Sequence, residues 1–470
     1  MSNNIFLKAL NIVNRLPFFK GTFRSLLFNK LWILIVFIKP IRNFYFKYEL
    51  SKINNSDNYI NKNKPTLAIV WEPRLEYAKR SLLNKEEFNV VIVPRSFFNP
   101  GFYIYLREYN ASIANLPIGE YNLDFYRSDK FNASRQKYRK YCQLINTFLT
   151  RFYNVQCVLM PKCNDHWTID YIKAANISNL KVVIDDREGA CTSQRLKAVA
   201  PRLRGLDMDF DLMTTHNPIH KELFEKAGFP LEKIVVNGAV QSDYWLNNHY
   251  WKEINEVDKN IRKELIRILF FSFGERTYMN FYYGNENRTW APLAKDINDV
   301  LFKILDKYEG RIQVIYKFSG KIKRDTSLDL YRFKSNCKRF IDQGYLLFLG
   351  GSTSSFDLIR HSQIISGFQT SGMIEAMNTD KPIIYSAWGD LYEDIGETLL
   401  PIGNKECALV ASSKDEFFDH LSKSIEHAEE GSNYSKHSSV SRQILVDKYF
   451  SKQDGKVSER LSQLVAKVMA

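Results

Sequence analysis

The chain has 470 residues, of which 45% are hydrophobic and 25% charged, and its formal net charge is +14. This length predicts two to three domains, each with a core of its own. The six cysteines form no CxxC pair and no cluster with histidine, which excludes a zinc finger and a disulfide framework and favours a reducing cytoplasm. No nucleic-acid-binding motif accompanies the positive charge, so we expect no nucleic-acid partner.

The amino-terminal segment is basic and rich in aliphatic and aromatic residues. Eight cations precede the first acidic residue, Glu49, and the apolar run 31–38 lies among them. Eight apolar residues are too few to cross a bilayer, which takes about 20, and no signal-peptide cleavage site follows. We predict that residues 1–60 form an amphipathic segment whose first 48 residues contact an anionic membrane surface. The alternative is a pair of basic helices packed on the protein's own surface.

From residue 61 onward, short apolar runs alternate with amphipathic stretches. The runs predict strands, and a long helix is predicted at 130–152; the strands are 66–71, 89–93, 155–160, 181–184, 211–214 and 233–236. Strands that alternate with helices indicate a parallel α/β sheet. We therefore predict a first domain at 61–245. A linker follows at 246–265, because the polar and aromatic stretch there has no strand pattern.

A second domain with the same alternation is predicted at 266–428. Its predicted strands are 267–273, 312–318, 345–349, 363–366 and 381–385, and helices follow at 415–428 and 438–470. The predicted fold class is α/β, with two Rossmann-like, doubly wound parallel-sheet domains that face a cleft and a basic helical extension at the amino terminus. Ligands of such sheets bind beyond the carboxyl ends of the strands.

The turn formed by Gln369, Thr370, Ser371 and Gly372 follows one of these strands and opens a helix. The free N–H groups and the positive end of the helix dipole favour a phosphate or carboxylate there. Glu375, one turn further along, is placed to accept hydrogen bonds from sugar hydroxyls. The alternative is that Thr370 or Ser371 only caps the helix.

Three further strand ends in the second domain carry candidate donor-binding residues. Gly274 and Arg276 follow the first strand, Lys317 and Ser319 lie at the end of the second, and Gly350 follows the third. A cation at such a position neutralises a leaving phosphate. Together with the 369–372 turn, these residues are predicted to converge on one sheet edge.

The first domain carries the candidate general bases. Asp185, Asp186 and Glu188 follow one strand, and Glu72 follows another. A carboxylate crowded by others has a raised proton affinity, which suits the deprotonation of an acceptor hydroxyl. The alternative is a solvated acidic loop with a salt bridge to Arg187.

Two histidines in the first domain stand four residues apart at a predicted helix start. His216 and His220 lack the third ligand that a metal site would need, so His216 is predicted to be a polar cleft or capping residue. No DxD sequence follows a strand. We therefore predict no metal site and no cofactor.

The stretch 345–385 resembles the carboxyl-terminal half of GT-B glycosyltransferases. The shared features are the small-residue turn, the EAM sequence at 375–377 and the KPII strand at 381–384. Gly367 stands where a branch of the family has a second glutamate, so the resemblance is closer to bacterial transferases of surface-polysaccharide assembly, of the capsule or O-antigen type. It covers roughly residues 64–465, and it implies that the helices at 429–470 pack back across the interface between the domains.

The resemblance implies an enzyme that transfers a sugar from a nucleotide-activated donor to a growing polysaccharide or a lipid-linked glycan. Such an enzyme is expected to invert the anomeric centre without a metal, and to work in the cytoplasm at the inner face of the membrane. One alternative is a CDP-glycerol-type polyol-phosphate transferase, and another is a non-catalytic GT-B-like scaffold of an assembly complex. Nucleotide-sugar 2-epimerases share the architecture, but the basic segment disfavours a soluble epimerase.

Overall fold

The computed structural model contains two six-stranded parallel sheets, each flanked by helices. The structure describes residues 32–52, 61, 63–70, 82, 86–106, 128–163, 166–186, 192–206, 208–246, 252–275, 288–318, 328–350, 353–432, 434, 437–451 and 453–470. The predicted α/β class, with two Rossmann-like, doubly wound parallel-sheet domains, is confirmed.

The first sheet has the strand order β2-β1-β3-β4-β5-β6. Its strands are β1 (Thr66–Val70), β2 (Asn89–Val93), β3 (Val155–Met160), β4 (Lys181–Asp185), β5 (Leu212–Thr215) and β6 (Ile234–Val236). Branched apolar residues dominate these strands, and most of their side chains are buried, as expected of a parallel sheet covered on both faces. The order of the strands reverses between β1 and β3, which is where such sheets bind ligands.

Several helices belong to this part of the described chain, in addition to the helical residues 32–37. They are α1 (Lys39–Ser51), α2 (Asn99–Tyr105), α3 (Asn132–Tyr153), α4 (His166–Ile177), α5 (Ser193–Leu203), α6 (Pro218–Lys226) and α7 (Asp243–Leu246). The longest, α3, buries Tyr138, Tyr141, Cys142 and Ile145, which recur at helical spacing. It ends at Asn154, which has the left-handed conformation that terminates helices.

The second sheet has the strand order β12-β11-β10-β7-β8-β9. Its strands are β7 (Ile266–Phe271), β8 (Ile312–Lys317), β9 (Leu346–Leu349), β10 (Ile364–Gly367), β11 (Ile383–Ser386) and β12 (Leu409–Ala411). Read from β9 and numbered within this domain, the strand order is 3-2-1-4-5-6, which is that of the Rossmann fold. The order reverses at a switch point between β7 and β10.

The remaining helices surround the second sheet or follow it. They are α8 (Ile254–Val257), α9 (Ala291–Lys307), α10 (Leu328–Asn336), α11 (Lys338–Asp342), α12 (Ser355–His361), α13 (Ser371–Ala376), α14 (Asp390–Ile395), α15 (Lys414–Glu429), α16 (Ser439–Phe450) and α17 (Val457–Met469). The predicted helical stretch at 438–470 is thus two helices. Ser451 and Gly455 between them both have positive φ, which ends a right-handed helix.

The last two helices tie the domains together. Helix α16 packs in the core of the second domain, and the carbonyl of its Tyr449 accepts a hydrogen bond of 2.7 Å from the Asn217 amide in the first. Helix α17 then buries Val457, Leu461 and Val465 against the first sheet. Helix α17 therefore lies on the first domain.

The described part of the amino-terminal segment packs on the first domain. Phe46 stacks on Phe97 with ring centroids 4.3 Å apart, and the Tyr45 hydroxyl donates to the carbonyl of Ser96 at 2.8 Å. Residues on the opposite side remain exposed, including Phe37 at 65%. None of the described helices has both the length and the apolar character needed to cross a membrane.

Candidate functional site

The switch point of the second sheet places the 369–372 turn beside strand β7. A Cβ atom on Gly372 would lie 2.7 Å from the ring of Phe271, closer than real contacts allow. A Cβ on Gly367 would lie 3.0 Å from the Phe271 carbonyl oxygen. Both glycines therefore allow α13 to pack directly against β7, a structural requirement that the sequence pattern did not reveal.

The turn itself is held from behind. The buried Gln369 amide donates to the Tyr385 hydroxyl at 2.6 Å and to the Leu400 carbonyl at 3.0 Å, and its oxygen accepts from the Leu400 N–H at 2.9 Å. Thr370 occupies the position before α13, but its side chain makes no capping hydrogen bond. Ser371 is exposed. The hydroxyl of Thr370 is thus not used to cap the helix.

Lys317, the last residue of β8, is buried at the same sheet edge. Its ammonium group donates to the carbonyl of Gly350 at 2.6 Å and to that of Phe318 at 3.3 Å. Burial lowers the pKa of Lys317 to about 8, and the negative charge of Glu375 acts in the opposite direction. The backbone carbonyl of Gly350 therefore helps to hold the Lys317 ammonium group in place.

Glu375 projects from α13 into the neighbourhood of Lys317. Burial raises the pKa of Glu375 to about 7, and the charge of Lys317 opposes that shift. The two side chains interact over a distance and do not form an ion pair. Among the residues that the structure describes, no group hydrogen-bonds to the Glu375 carboxylate, so a ligand hydroxyl would find its oxygens available.

The other predicted donor-binding residues are only partly within the described chain. Gly274 lies three residues beyond the end of β7 and is half-buried. The carbonyl of the next residue, Glu275, accepts a hydrogen bond of 2.7 Å from the Trp290 N–H. Arg276 and Ser319 lie outside the described residues. The structure thus brings Gly274, Lys317 and Gly350 to the same edge as the 369–372 turn.

Two of the candidate bases in the first domain, Asp185 and Asp186, are buried. Asp185, the last residue of β4, accepts a hydrogen bond of 2.8 Å from the Thr214 hydroxyl. Asp186 is 1% exposed, and its carboxylate lies 3.5 Å from Nε2 of His220. Neither residue is part of a solvated loop, in contrast to the alternative interpretation of the sequence. Glu188 and Glu72, the other two candidate bases, lie outside the described residues.

Pairing of Asp186 with His220 was not predicted. The two residues are 34 positions apart, and only the neighbouring ends of β4 and β5 bring them together. The histidine belongs to α6, which is capped by Asn217, whose side-chain oxygen accepts from the His220 N–H at 2.8 Å. The residue that caps α6 is therefore Asn217 and not His216, and the other part of the prediction, a polar cleft residue, stays a prediction. His216 is buried, with its ring centroid 6.2 Å from that of His220.

Helix α16 contacts elements that carry candidate site residues in both domains. Helix α16 packs against α13, which carries Glu375. Its last two carbonyls accept hydrogen bonds from the Asn217 side chain and the Ala239 N–H of the first domain. The carboxyl edges of the two sheets are therefore joined through α16. Within the described ranges, no group of three histidine, cysteine or acidic side chains is arranged to hold a metal ion.

No protein-family model matches the chain, and no curated protein matches it at significant similarity. Solved structures align with it at low identity. UDP-GlcNAc 2-epimerase from Methanocaldococcus jannaschii is 12% identical, with a TM-score of 0.48 over 86% of this chain and 99% of its own. A glycosyltransferase from Rickettsia africae is 15% identical, with a TM-score of 0.44 over 87% and 99%. Anabaena Alr3699/HepE, in complex with UDP and glucose, is 11% identical, with a TM-score of 0.42 over 86% and 100%.

Similarity of this degree carries no argument about activity. The orders of the strands in the chain's own two sheets, and the helix that returns to the first domain, are the features of a GT-B architecture.

Proposed function

We propose that the protein is a glycosyltransferase that moves a sugar from a nucleotide-activated donor to a growing surface polysaccharide or a lipid-linked glycan. The observation that supports the proposal is that Lys317 and Glu375 lie close enough at the switch point of the second sheet to influence each other's charge, although they form no ion pair. A cation for phosphate and a carboxylate for hydroxyls lie within electrostatic range there, beside the 369–372 turn. The resemblance of 345–385 to GT-B transferases supports the same assignment.

In the proposed reaction, the donor phosphate lies against Lys317 and the amides of the 370–372 turn. The bond from the anomeric carbon to the phosphate oxygen breaks while a bond to the acceptor oxygen forms. The nucleotide leaves with the bonding electron pair, and the positive charge of Lys317 stabilises it. With a pKa of about 8, Lys317 is mostly protonated at pH 7, and a bound phosphate would keep it so.

The acceptor hydroxyl must lose its proton to a base on the first domain. Asp186 is the described candidate that we favour, because His220 lies beside its carboxylate and can orient it. Asp185, Glu188 and Glu72 remain candidates from the sequence. We propose inversion at the anomeric carbon without a metal ion, since a single base and a positively charged phosphate site suffice for that chemistry.

Ligand binding tests the donor site. Thermal unfolding should be measured with UDP-, GDP-, CMP- and CDP-activated donors, because a ligand at 100 times its Kd adds about 2.7 kcal/mol of stability. We expect one nucleotide class to stabilise the protein, and Glu375→Ala and Ser371→Ala to weaken that effect. A protein that none of the donors stabilises would contradict the proposal and favour a scaffold.

Product analysis separates the enzymatic alternatives. A glycosyltransferase places the sugar on the acceptor without its phosphate. A polyol-phosphate transferase leaves phosphorus in the polymer and releases CMP, and a 2-epimerase changes the donor sugar without any acceptor. If the labelled donor is converted to a different sugar nucleotide when no acceptor is present, the protein is an epimerase and not a transferase.

We also propose that the amino-terminal segment holds the enzyme at the cytoplasmic face of an anionic membrane. This proposal is supported by four exposed apolar side chains in the described part of the segment, those of Ile33, Leu34, Phe37 and Ile38. The neighbouring Lys39 is exposed as well. Exposed apolar side chains next to cations suit the headgroup region. Phe37→Ser should lower binding to vesicles of anionic lipid without changing the thermal unfolding temperature. Unchanged vesicle binding in this variant and after removal of residues 1–31 would contradict the proposal.

A further inference from the structure

A second pocket lies at the opposite edge of the second sheet. It has a volume of about 570 Å³ and sits at the amino ends of β7, β10 and β11. The residues that line it include Arg267, Arg360, Gln363, Lys381, Ser424 and Ser432. Strand β7 has six residues, so about 20 Å separates this "distal pocket" from the switch point.

The cations of the distal pocket are held by neutral carbonyl groups. The Arg267 guanidinium donates to the carbonyls of His361 at 2.5 Å and of Lys263 at 2.8 Å. The Lys381 ammonium donates to the carbonyls of Ile359, at 2.7 Å, and of Arg360. These contacts cap the end of α12 and fix both side chains in place. Among the residues that the structure describes, no carboxylate lies within ion-pair distance of Arg267 or Lys381, so their charge is not cancelled.

The positive charges also repel one another. Burial lowers the pKa of Lys381 to about 8, and the charges of Arg267 and Arg360 lower it further in the same direction. Asp380 is the one carboxylate among the lining residues, against three cations, and His361 lies beside them. A bound anion would reverse the unfavourable interaction between the cations, so the pocket is suited electrostatically to negative charge.

Hydrogen-bond donors in the distal pocket are unused within the described chain. The Ser424 hydroxyl is buried, with the residue 1% exposed, and has no hydrogen-bond partner. The side-chain oxygen of Gln363 accepts a hydrogen bond of 2.9 Å from the backbone N–H of Arg267, and the NH₂ group of Gln363 takes no part in that bond. Nη2 of Arg267 donates to no acceptor within the described ranges, whereas its Nε and Nη1 do. A buried polar group without a partner is unfavourable unless a ligand or water satisfies it.

We propose that the distal pocket binds a small soluble molecule through a phosphate or pyrophosphate group, separately from the donor at the switch point. Three cations match a multiply charged anion better than a single carboxylate would. The volume lies in the range of sites for small organic ligands, so the phosphate is expected to carry an organic group.

Calorimetric titration of the full chain with pyrophosphate tests this site. We expect two binding events in the wild type. Arg360→Glu should remove one of them, with a loss of affinity of at least tenfold, and Ser424→Ala should weaken the same event about threefold. Lys317→Gln should remove the other. Arg332→Glu is the matched control, because Arg332 is an exposed cation on α10 of the same domain.

The outcomes separate the proposal from its alternatives. Equal weakening by Arg360→Glu and Arg332→Glu would show a general effect of charge and would overturn the proposal. So would the loss of all pyrophosphate binding in Lys317→Gln alone. Vesicles of anionic lipid form a second arm. If Arg360→Glu lowers vesicle binding and leaves pyrophosphate binding intact, the pocket recognises a lipid headgroup instead.

Discussion

The ammonium group of Lys317 and the carboxylate of Glu375 influence each other at the switch point without forming an ion pair. Burial shifts both pKa values toward neutrality, that of the lysine to about 8 and that of the glutamate to about 7. Each charge is therefore stabilised less than it would be in water. An ordered ligand that brings both a phosphate and hydroxyl groups would satisfy both at once, which is why this pair carries the functional proposal.

The raised pKa of Glu375 predicts a pH-dependent effect of its removal. Since the folded-state pKa of about 7 exceeds the ordinary value of 4.5, the stability linked to this group is complete below pH 4.5 and is lost as the pH rises through 7. Glu375→Gln should therefore stabilise the protein at pH 8, by about 1–3 kcal/mol, and have little effect at pH 4.5. Urea unfolding at the two pH values measures this.

The control for that experiment is Glu393→Gln, which removes an exposed carboxylate on α14. Surface substitutions of this kind change stability by about 0.5 kcal/mol or less. An equal effect of Glu375→Gln at pH 4.5 and pH 8 would show that the carboxylate is not destabilised by burial.

Gly372 is predicted to be required by packing. In Gly372→Ala the new methyl group meets the Phe271 ring, and overpacking of this kind costs about 1–3 kcal/mol. Phe271→Leu should leave room for it, so the double variant should recover part of the loss. A double-mutant cycle of unfolding free energies gives the coupling. Additive effects of the two substitutions would mean that the glycine is needed for another reason.

Much of the fold was predictable because the strands are continuous apolar runs. The predicted 363–366 differs from Ile364–Gly367 by a single residue. The contacts between distant parts of the chain were not predictable in this way. The pairing of Asp186 with His220 depends on the order of strands, which local patterns do not contain. Composition likewise did not show that Phe46 faces the core while Phe37 faces outward, because both lie in the same basic and aromatic segment.

Asp186 is predicted to act in catalysis and not in donor binding. Asp186→Asn should lower kcat by about 10²-fold or more, as removal of a general base does, while the donor still raises the thermal unfolding temperature. Glu222→Gln, which changes a partly exposed carboxylate on the same helix as His220, is the control and should keep full activity. If Asp186→Asn keeps its kcat, the base must be sought among Asp185, Glu188 and Glu72.

Asn217 serves two purposes that substitutions can separate. Its side-chain oxygen caps α6, and its NH₂ group donates to the Tyr449 carbonyl across the domains. Asn217→Ser keeps a capping oxygen but cannot reach Tyr449, whereas Asn217→Ala loses both interactions. We expect the unfolding free energy to fall by about 1 kcal/mol in Asn217→Ser and by about 2 kcal/mol in Asn217→Ala. Hydrogen exchange at α16 should rise in both variants, because the bond to Tyr449 is missing in each. If Asn217→Ser leaves exchange at α16 unchanged, the hydrogen bond does not hold that helix against the first domain.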